Sequence, residues 1–260
     1  MGTIDSAGGE RNYILFVPGQ YDGKTPLPLL LDLHGLTMTA AQQERVSGFR
    51  PQAETEGYVY IAPSGLPNTT MGNPPRVGNM WSDRDENSID LVFLRALIAD
   101  IESRGCIDLR RVYVTGCSQG GSLTNLIMCT SEDIIAAVVP VCGTTFFDLD
   151  RRCTLDRPVS TMLVIGTQDE LNCSQSEDGS GKGAIGVTCV KDYQRIMVKK
   201  DGCTGQPKPT VNSVCESVDQ CAGGTEVVIC SPNVGHVAYS TKDMNVAKEG
   251  WAFLKRFYLP

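Results

Sequence analysis

The ten residues Val112-Tyr113-Val114-Thr115-Gly116-Cys117-Ser118-Gln119-Gly120-Gly121 constrain this chain more than any other stretch. A β-branched apolar run ends at a glycine, a serine is held between turn residues, and two glycines lead into a helical pattern at Leu123, Ile127 and Met128. With a strand before it and a helix after it, G-x-S-x-G reads as a nucleophile elbow, a sharp turn that pushes the Ser118 hydroxyl out above a sheet. Glycine flanks the serine because strand and helix backbones crowd each other there and a Cβ would clash. The remaining residues can be read as what this serine requires.

Residues 11–18 alternate polar and apolar and read as an edge strand followed by a turn-rich loop. Residues 29–33 form an apolar run broken only by Asp32, the pattern of a strand buried on both faces, and end at His34-Gly35-Leu36-Thr37. Residues 40–56 are helical in pattern, with Pro51 expected to break or bend them. A strand at 58–62 is closed by Pro63. Residues 64–87, rich in Gly, Asn, Pro and Asp and containing Trp81, exceed the roughly 12–15 residues beyond which an unstructured loop is usually functional or disordered. The clearest helix is 88–104, with an expected stripe of Ile89, Val92, Phe93, Ala96, Leu97 and Ile101 and with Asp90 in its first turn. Short apolar strands follow at 135–142, 162–165 and 226–230, and a helix at 246–258 places Ala247, Trp251, Leu254 and Tyr258 on one side. Strand and helix in alternation indicate a mostly parallel sheet with helices on both faces.

The 260 residues fit a single α/β domain spanning 1–260. Residues 167–225 differ in character: cysteines at 173, 189, 203, 215 and 221 lie among Gly, Ser, Asp and Pro, with one helix expected at 190–200. Too few apolar residues are present there for a separate core, so we expect an insertion-like irregular region near the cleft, held by disulfides. Eleven cysteines with no C-x-x-C pair and only two histidines make a structural zinc site improbable and disulfides the better reading. Disulfides imply an oxidising compartment. The first nine residues lack the basic and apolar regions of a signal peptide, so the expectation is the mature chain of an exported protein. An odd cysteine count leaves at least one thiol free or paired between chains. A net charge of −7 argues against an electrostatic nucleic-acid binder, and no apolar run approaches the roughly 20 residues of a membrane span.

A serine hydroxyl needs a positioned base to act as a nucleophile at neutral pH. His34 ends a buried strand and reads as a histidine that shapes its loop, whereas His236 lies in the loop after the last strand. Elbow hydrolases run Ser, acid, His in chain order, which selects His236. The acid should lie between them just past a strand: Asp169 follows the 162–166 run, Glu170 is its rival, and Asp148, Asp150, Asp178 and Asp219 are less well placed. The oxyanion needs two backbone N–H donors. One is that of Gln119, after the nucleophile, and the other comes from the loop after His34-Gly35, from Leu36 or Thr37.

Together, Leu33-His34-Gly35 with Thr37, Ile61-Ala62-Pro63, Trp81, residues 89–97, Arg111-Val112-Tyr113-Val114-Thr115-Gly116, the elbow, Asp169, Gly202-Cys203, Cys221 and Gly235-His236 resemble the family of polyhydroxybutyrate depolymerases and feruloyl or acetylxylan esterases. The resemblance spans about residues 11–257. It implies an α/β-hydrolase fold, secretion, and hydrolysis of esters at polymer ends or side chains, without a metal or organic cofactor. The implied substrate is a plant polysaccharide ester or an aliphatic polyester, met by a monomer, with Thr37 and Trp81 as substrate-binding candidates. Two departures lie beside the expected cleft: Val237-Ala238-Tyr239 stands where relatives often carry aromatic or Pro residues, and 170–189 is longer and richer in cysteine. On the resemblance, Cys117 and Cys142 end neighbouring strands and could pair, as could Cys106 and Cys129 at the ends of successive helices. Cys117 beside the serine also resembles tannase-like feruloyl esterases, which bond it to a cysteine beside the histidine. Here Gly235 stands in that place, so that family is rejected. A noncatalytic binding protein on the same fold would have lost a member of the Ser118, Asp169, His236 set, and all three are present.

Overall fold

The computed structural model describes residues 1–6, 8–67, 78–174, 183, 186–210, 214–236 and 239–260. In chain order the strands are β1 (Gly2–Ser6), β2 (Gly9–Phe16), β3 (Leu27–Leu33), β4 (Val59–Pro63), β5 (Leu66–Pro67), β6 (Asn79–Met80), β7 (Ile107–Cys117), β8 (Ala137–Val141), β9 (Ser160–Val164), β10 (Lys208–Pro209), β11 (Cys215–Val218) and β12 (Val227–Cys230). The helices are α1 (Ala40–Ser47), α2 (Phe49–Glu56), α3 (Ile89–Arg104), α4 (Gln119–Thr130), α5 (Leu149–Arg152), α6 (Val190–Lys200) and α7 (Val246–Leu254). One sheet runs in the order β1-β2-β4-β3-β7-β8-β9-β12-β11-β10, while β5 and β6 pair separately. Strands β4, β3, β7, β8, β9 and β12 are parallel, and antiparallel strands close both edges.

Side chains alternate across the sheet and so build two cores. Leu29, Leu31, Leu33, Val112 and Val114 meet α3, α4 and α6 on one face. Leu30 and Tyr113 meet α1, α2 and α7 on the other. Because both faces are covered, β3 reads as an apolar run broken only by buried Asp32. This is the mostly parallel α/β architecture expected.

Several local expectations change. The 40–56 segment breaks at Gly48, whose φ of 77° ends α1, and not at Pro51. Proline in the first turn of α2 gives up an N–H that would have no helical partner there. The stripe of α3 is rotated: Leu91, Leu94 and Ile98 join Phe93, Leu97 and Ile101 in the core, while Ile89 and Val92 are 40% and 55% exposed. Asp90 sets that rotation, since it is buried in an ion pair with buried Arg11. Strand β2 is not the edge, because β1 pairs outside it. Within 167–225, β10 and β11 extend the sheet, so part of this region is regular. Tyr258 lies beyond the end of α7 and is 63% exposed.

Five disulfides join Cys117–Cys142, Cys129–Cys153, Cys173–Cys189, Cys203–Cys221 and Cys215–Cys230. The expected pairing of Cys106 with Cys129 does not form. Cys129, in the last turn of α4, faces Cys153 just after α5, with Cα atoms 4.8 Å apart. Cys106 instead lies just before β7, where its carbonyl accepts from the Leu27 N–H and its own N–H donates to the Tyr21 hydroxyl, and among the described residues it is the free cysteine. No helix among the described residues is long and apolar enough to cross a membrane.

Two buried acids carry a pH dependence. Burial pushes the Asp201 carboxyl up to about 7, against the pull of the Val159 N–H, the Thr225 side chain and Arg157. Burial likewise raises Asp32 to about 6, opposed by hydrogen bonds from Ser47, Gln43 and Tyr60. An unfolded aspartate titrates near 3.9, so the folded state holds the proton more tightly. This contribution to stability is complete below that pH and is lost as pH rises through the folded value. Urea unfolding should therefore show stability falling between about pH 4 and 7. The Asp201→Asn variant should flatten the fall by on the order of 1–3 kcal/mol. Parallel pH profiles for wild type and variant would refute the assignment.

Candidate active site

The elbow takes the form its glycines dictate. Strand β7 ends at Cys117, α4 begins at Gln119, and Ser118 between them has φ 57° and ψ −116°. A Cβ on Gly120 would lie 2.1 Å from the Leu33 carbonyl oxygen, and one on Gly116 would lie 2.7 Å from it. The Ser118 N–H donates to the Val141 carbonyl at 2.9 Å, and the Cys117–Cys142 disulfide ties the ends of β7 and β8 beside it.

Two distant loops are zipped together across the end of the sheet. After β9, the N–H groups of Thr167 and Gln168 donate to the carbonyls of Pro232 and Val234 at 3.0 and 3.1 Å. The Gln168 side chain also donates to Asn233 Oδ1 at 2.7 Å. Asp169 and His236, 67 residues apart, are thereby brought into contact. His236 Nδ1 lies 3.0 and 2.9 Å from the two Asp169 carboxylate oxygens, and Nε2 lies 2.9 Å from Ser118 Oγ. The Asp169 side chain is fully buried, whereas the His236 ring is 29% exposed.

Burial alone would raise Asp169, but the His236 hydrogen bond and charge, the Asn172 amide and the Leu171 N–H outweigh it and hold the carboxyl below its ordinary value. An ionised carboxylate can only accept, which assigns the imidazole proton to Nδ1 and leaves Nε2 to accept from the serine hydroxyl. Asn172 has no motif to announce it. It donates to Asp169 Oδ2 at 2.9 Å and to the Cys142 carbonyl at 3.3 Å, tying acid and elbow together. Glu170 is exposed. Asp148 caps α5, Asp150 and Asp219 pair with lysines, and Asp178 lies outside the described residues.

His34 does shape its loop. Its buried ring lies 2.8 Å from the Gly35 carbonyl through Nδ1, and Nε2 accepts from the Gly65 N–H at 2.9 Å. Burial lowers its pKa to about 4, so the ring is neutral. Trp81 packs on it at 4.6 Å and donates its indole N–H to the His34 carbonyl at 2.8 Å.

Leu36, Trp81 and Gln119 join Ser118 and His236 in lining a cleft of about 780 Å³. Thr37 is not among the lining residues, and its N–H is committed to the Asn79 carbonyl at 2.8 Å. Of the two donors considered on that loop, Thr37 is thus committed elsewhere, while Leu36 lines the cleft. The cleft wall is otherwise largely apolar, from Leu66, Met80, Phe146, Leu171 and Val187. Leu171 and Val187 come from the cysteine-rich 170–189 segment, in which Cys173 is bonded to Cys189. Beyond His236, residues 237 and 238 lie outside the described residues, while Tyr239 is buried and its hydroxyl accepts from Gln43 Nε2 at 2.6 Å. A protein with this arrangement can deprotonate a buried-edge serine and hold an apolar or aromatic acyl group over it.

No protein-family model matches the chain. It is 32% identical over 260 residues to feruloyl esterase B of Piromyces equi, covering 96% of this chain and 46% of the relative. It is 29% identical over 171 residues to the bifunctional acetylxylan esterase/xylanase XynS20E of Neocallimastix patriciarum, covering 65% of this chain and 23% of the relative. A third similarity, 29% over 119 residues, is to poly(3-hydroxyalkanoate) depolymerase C of Paucimonas lemoignei, covering 45% of this chain and 28% of the relative. The chain thus spans less than half the length of the curated relatives it matches here. Among solved structures, an acetyl xylan esterase from Aspergillus awamori superposes with a TM-score of 0.67 at 14% identity, covering 97% of this chain and 98% of that one. The chain therefore has the α/β-hydrolase fold and is similar in sequence to feruloyl and acetylxylan esterases.

Proposed function

We propose that this chain is a secreted serine carboxyl-ester hydrolase of the feruloyl or acetylxylan type, acting as a monomeric catalytic domain on plant polysaccharide esters. The observation that carries the reading is the unbroken path Asp169–His236–Ser118 opening onto an apolar cleft. Homology to named feruloyl and acetylxylan esterases supports the reaction class. The five disulfides support an oxidising, extracellular setting.

Ser118 Oγ attacks the ester carbonyl while His236 Nε2 accepts its proton. The tetrahedral oxyanion is held by the N–H groups of Gln119 and Leu36. His236 then protonates the departing alcohol, leaving an acyl group on Ser118. Water, deprotonated by His236, attacks that acyl-enzyme, and the carboxylic acid leaves as Ser118 regains its proton. Asp169 keeps the imidazole in the required tautomer and stabilises the imidazolium of each step. Trp81, backed by His34, is a wall of the acyl pocket.

Turnover of methyl ferulate, acetylated xylan and a hydroxybutyrate oligomer, with Ser118→Ala as blank, tests the reading. The first two substrates should be hydrolysed in preference to the third. A preference for the oligomer would reassign the chain to polyester depolymerases, in line with the Paucimonas lemoignei relative. No hydrolysis of any substrate above the blank would reject an esterase.

Asp169→Asn places an N–H donor against Nδ1 and favours the wrong tautomer. Steady-state kinetics should show kcat lower by on the order of 10³–10⁴, with KM little changed. A loss below tenfold would remove Asp169 from the mechanism.

A further inference from the structure

We infer that the Gln119 side chain is a positioning residue that fixes the two oxyanion donors relative to each other through a strap made of residues 79–83. This rests on the esterase reading of the site given above. The Gln119 amide pairs with the Trp81 main chain in both directions: the Trp81 N–H donates to Oε1 at 3.0 Å, and Nε2 donates to the Trp81 carbonyl at 2.8 Å. Two residues earlier, the Asn79 carbonyl accepts the Thr37 N–H at 2.8 Å, and the Asn79 N–H faces the Met38 carbonyl at 3.4 Å. The strap therefore grips the residue next to each proposed donor's own backbone: Thr37 beside Leu36 on one side, and the side chain of Gln119 itself on the other.

The strap is anchored independently of both donors. The Trp81 indole donates to the His34 carbonyl, and the Ser82 N–H donates to Asp90 Oδ2 at 2.7 Å. Asp90 is in turn held by buried Arg11. Its antiparallel partner β5 holds Met80 opposite Leu66. The elbow orients the Gln119 N–H and approaches the backbone of His34 and Gly35, but among the described residues no backbone hydrogen bond ties it to Leu36 or Thr37. The strap supplies that link, because it is bonded to both.

A primary amide is the side chain that fits. It carries one acceptor and one donor side by side, as an exposed peptide edge does, so it can match the N–H and C=O of a single residue. A carboxylate offers no donor and an aliphatic side chain offers neither. Oxyanion donors act only when held at the position the charge will occupy, and a misplacement of about 1 Å can cost on the order of 10²-fold. Loosening the strap should therefore weaken the transition state more than the bound substrate and appear in kcat.

The test compares a p-nitrophenyl ester with its thionoester in wild type and in Gln119→Met, with Gln119→Leu as a second variant. The thiocarbonyl sulfur accepts oxyanion-hole hydrogen bonds poorly, so the ester-to-thionoester ratio of kcat/KM reports donor placement. Both rates come from the same enzyme sample, so the ratio is unaffected by any unfolded fraction. The variants should lose about 10- to 100-fold in ester kcat with little change in KM, and their ester-to-thionoester ratio should fall in step. Equal losses on both substrates would reduce Gln119 to a structural contact and overturn the inference, as would an unchanged ester rate. A wild type without Ser118-dependent ester hydrolysis would overturn the esterase reading itself and this inference with it.

Discussion

Everything at the site depends on how closely the β7–α4 turn approaches the end of β3. The Leu33 carbonyl comes so near Gly120 that no side chain fits between them, and this contact puts Ser118 beside the loop that begins at His34. The same turn leaves Ser118, a residue with a Cβ, at positive φ. Such a conformation costs of order 1–3 kcal/mol and persists only where the surroundings over-determine it. The Val141 carbonyl, the Cys117–Cys142 bridge and the first turn of α4 supply that constraint. Cys142, at the other end of the bridge, is itself at φ 43°, so the disulfide joins two strained strand ends, one of which carries the serine.

What was readable in the sequence follows the range of the interactions involved. The elbow, β3 and α6 were legible because their signals are local: a short motif, a nearly continuous apolar run, a helical period. Asp169 and His236 were legible through their order along the chain and their position after strands. The break at Gly48 was misassigned to Pro51 because a proline is tolerated in a first turn, whereas a left-handed glycine between two helices has no periodic signal. The face of α3 was misjudged because the Arg11–Asp90 ion pair, joining residues 79 positions apart, outweighs the apolar stripe that Ile89 and Val92 would have extended. Asn172, the pairing of the Gln119 amide with Trp81, and the partner of Cys129 were not legible at all. Each depends on groups brought together only when the sheet forms. The two-residue strand β10 and the four-residue β11 are too short to carry a period, and β11 is recognisable by its pairing with β10 and β12.

The cysteines divide along similar lines. Cys117–Cys142 and Cys129–Cys153 brace the elbow strand and the far end of the helix that follows it. The other three bridges fall between residues 173 and 230, closing short loops around α6, β11 and β12, whose buried side chains belong to the two cores. Leu171 and Val187 both line the cleft close to the Cys173–Cys189 bridge in sequence.

The two histidines show most directly how surroundings assign roles on this fold. His34 and His236 both lie at the site, and both find a partner for each ring nitrogen. His34 is sealed among backbone groups and Trp81, and burial keeps it neutral across the physiological range, so it can serve as a spacer between the Gly35 and Gly65 segments without changing charge. His236 faces an ionised carboxylate on one side and a hydroxyl on the other, with part of its ring open to the cleft. In the proposed reaction, a proton gained at Nε2 would be stabilised by Asp169 at the moment the serine loses it. The imidazole in contact with the carboxylate can cycle its charge. The one that lacks such a partner holds up the loop on which the oxyanion would rest.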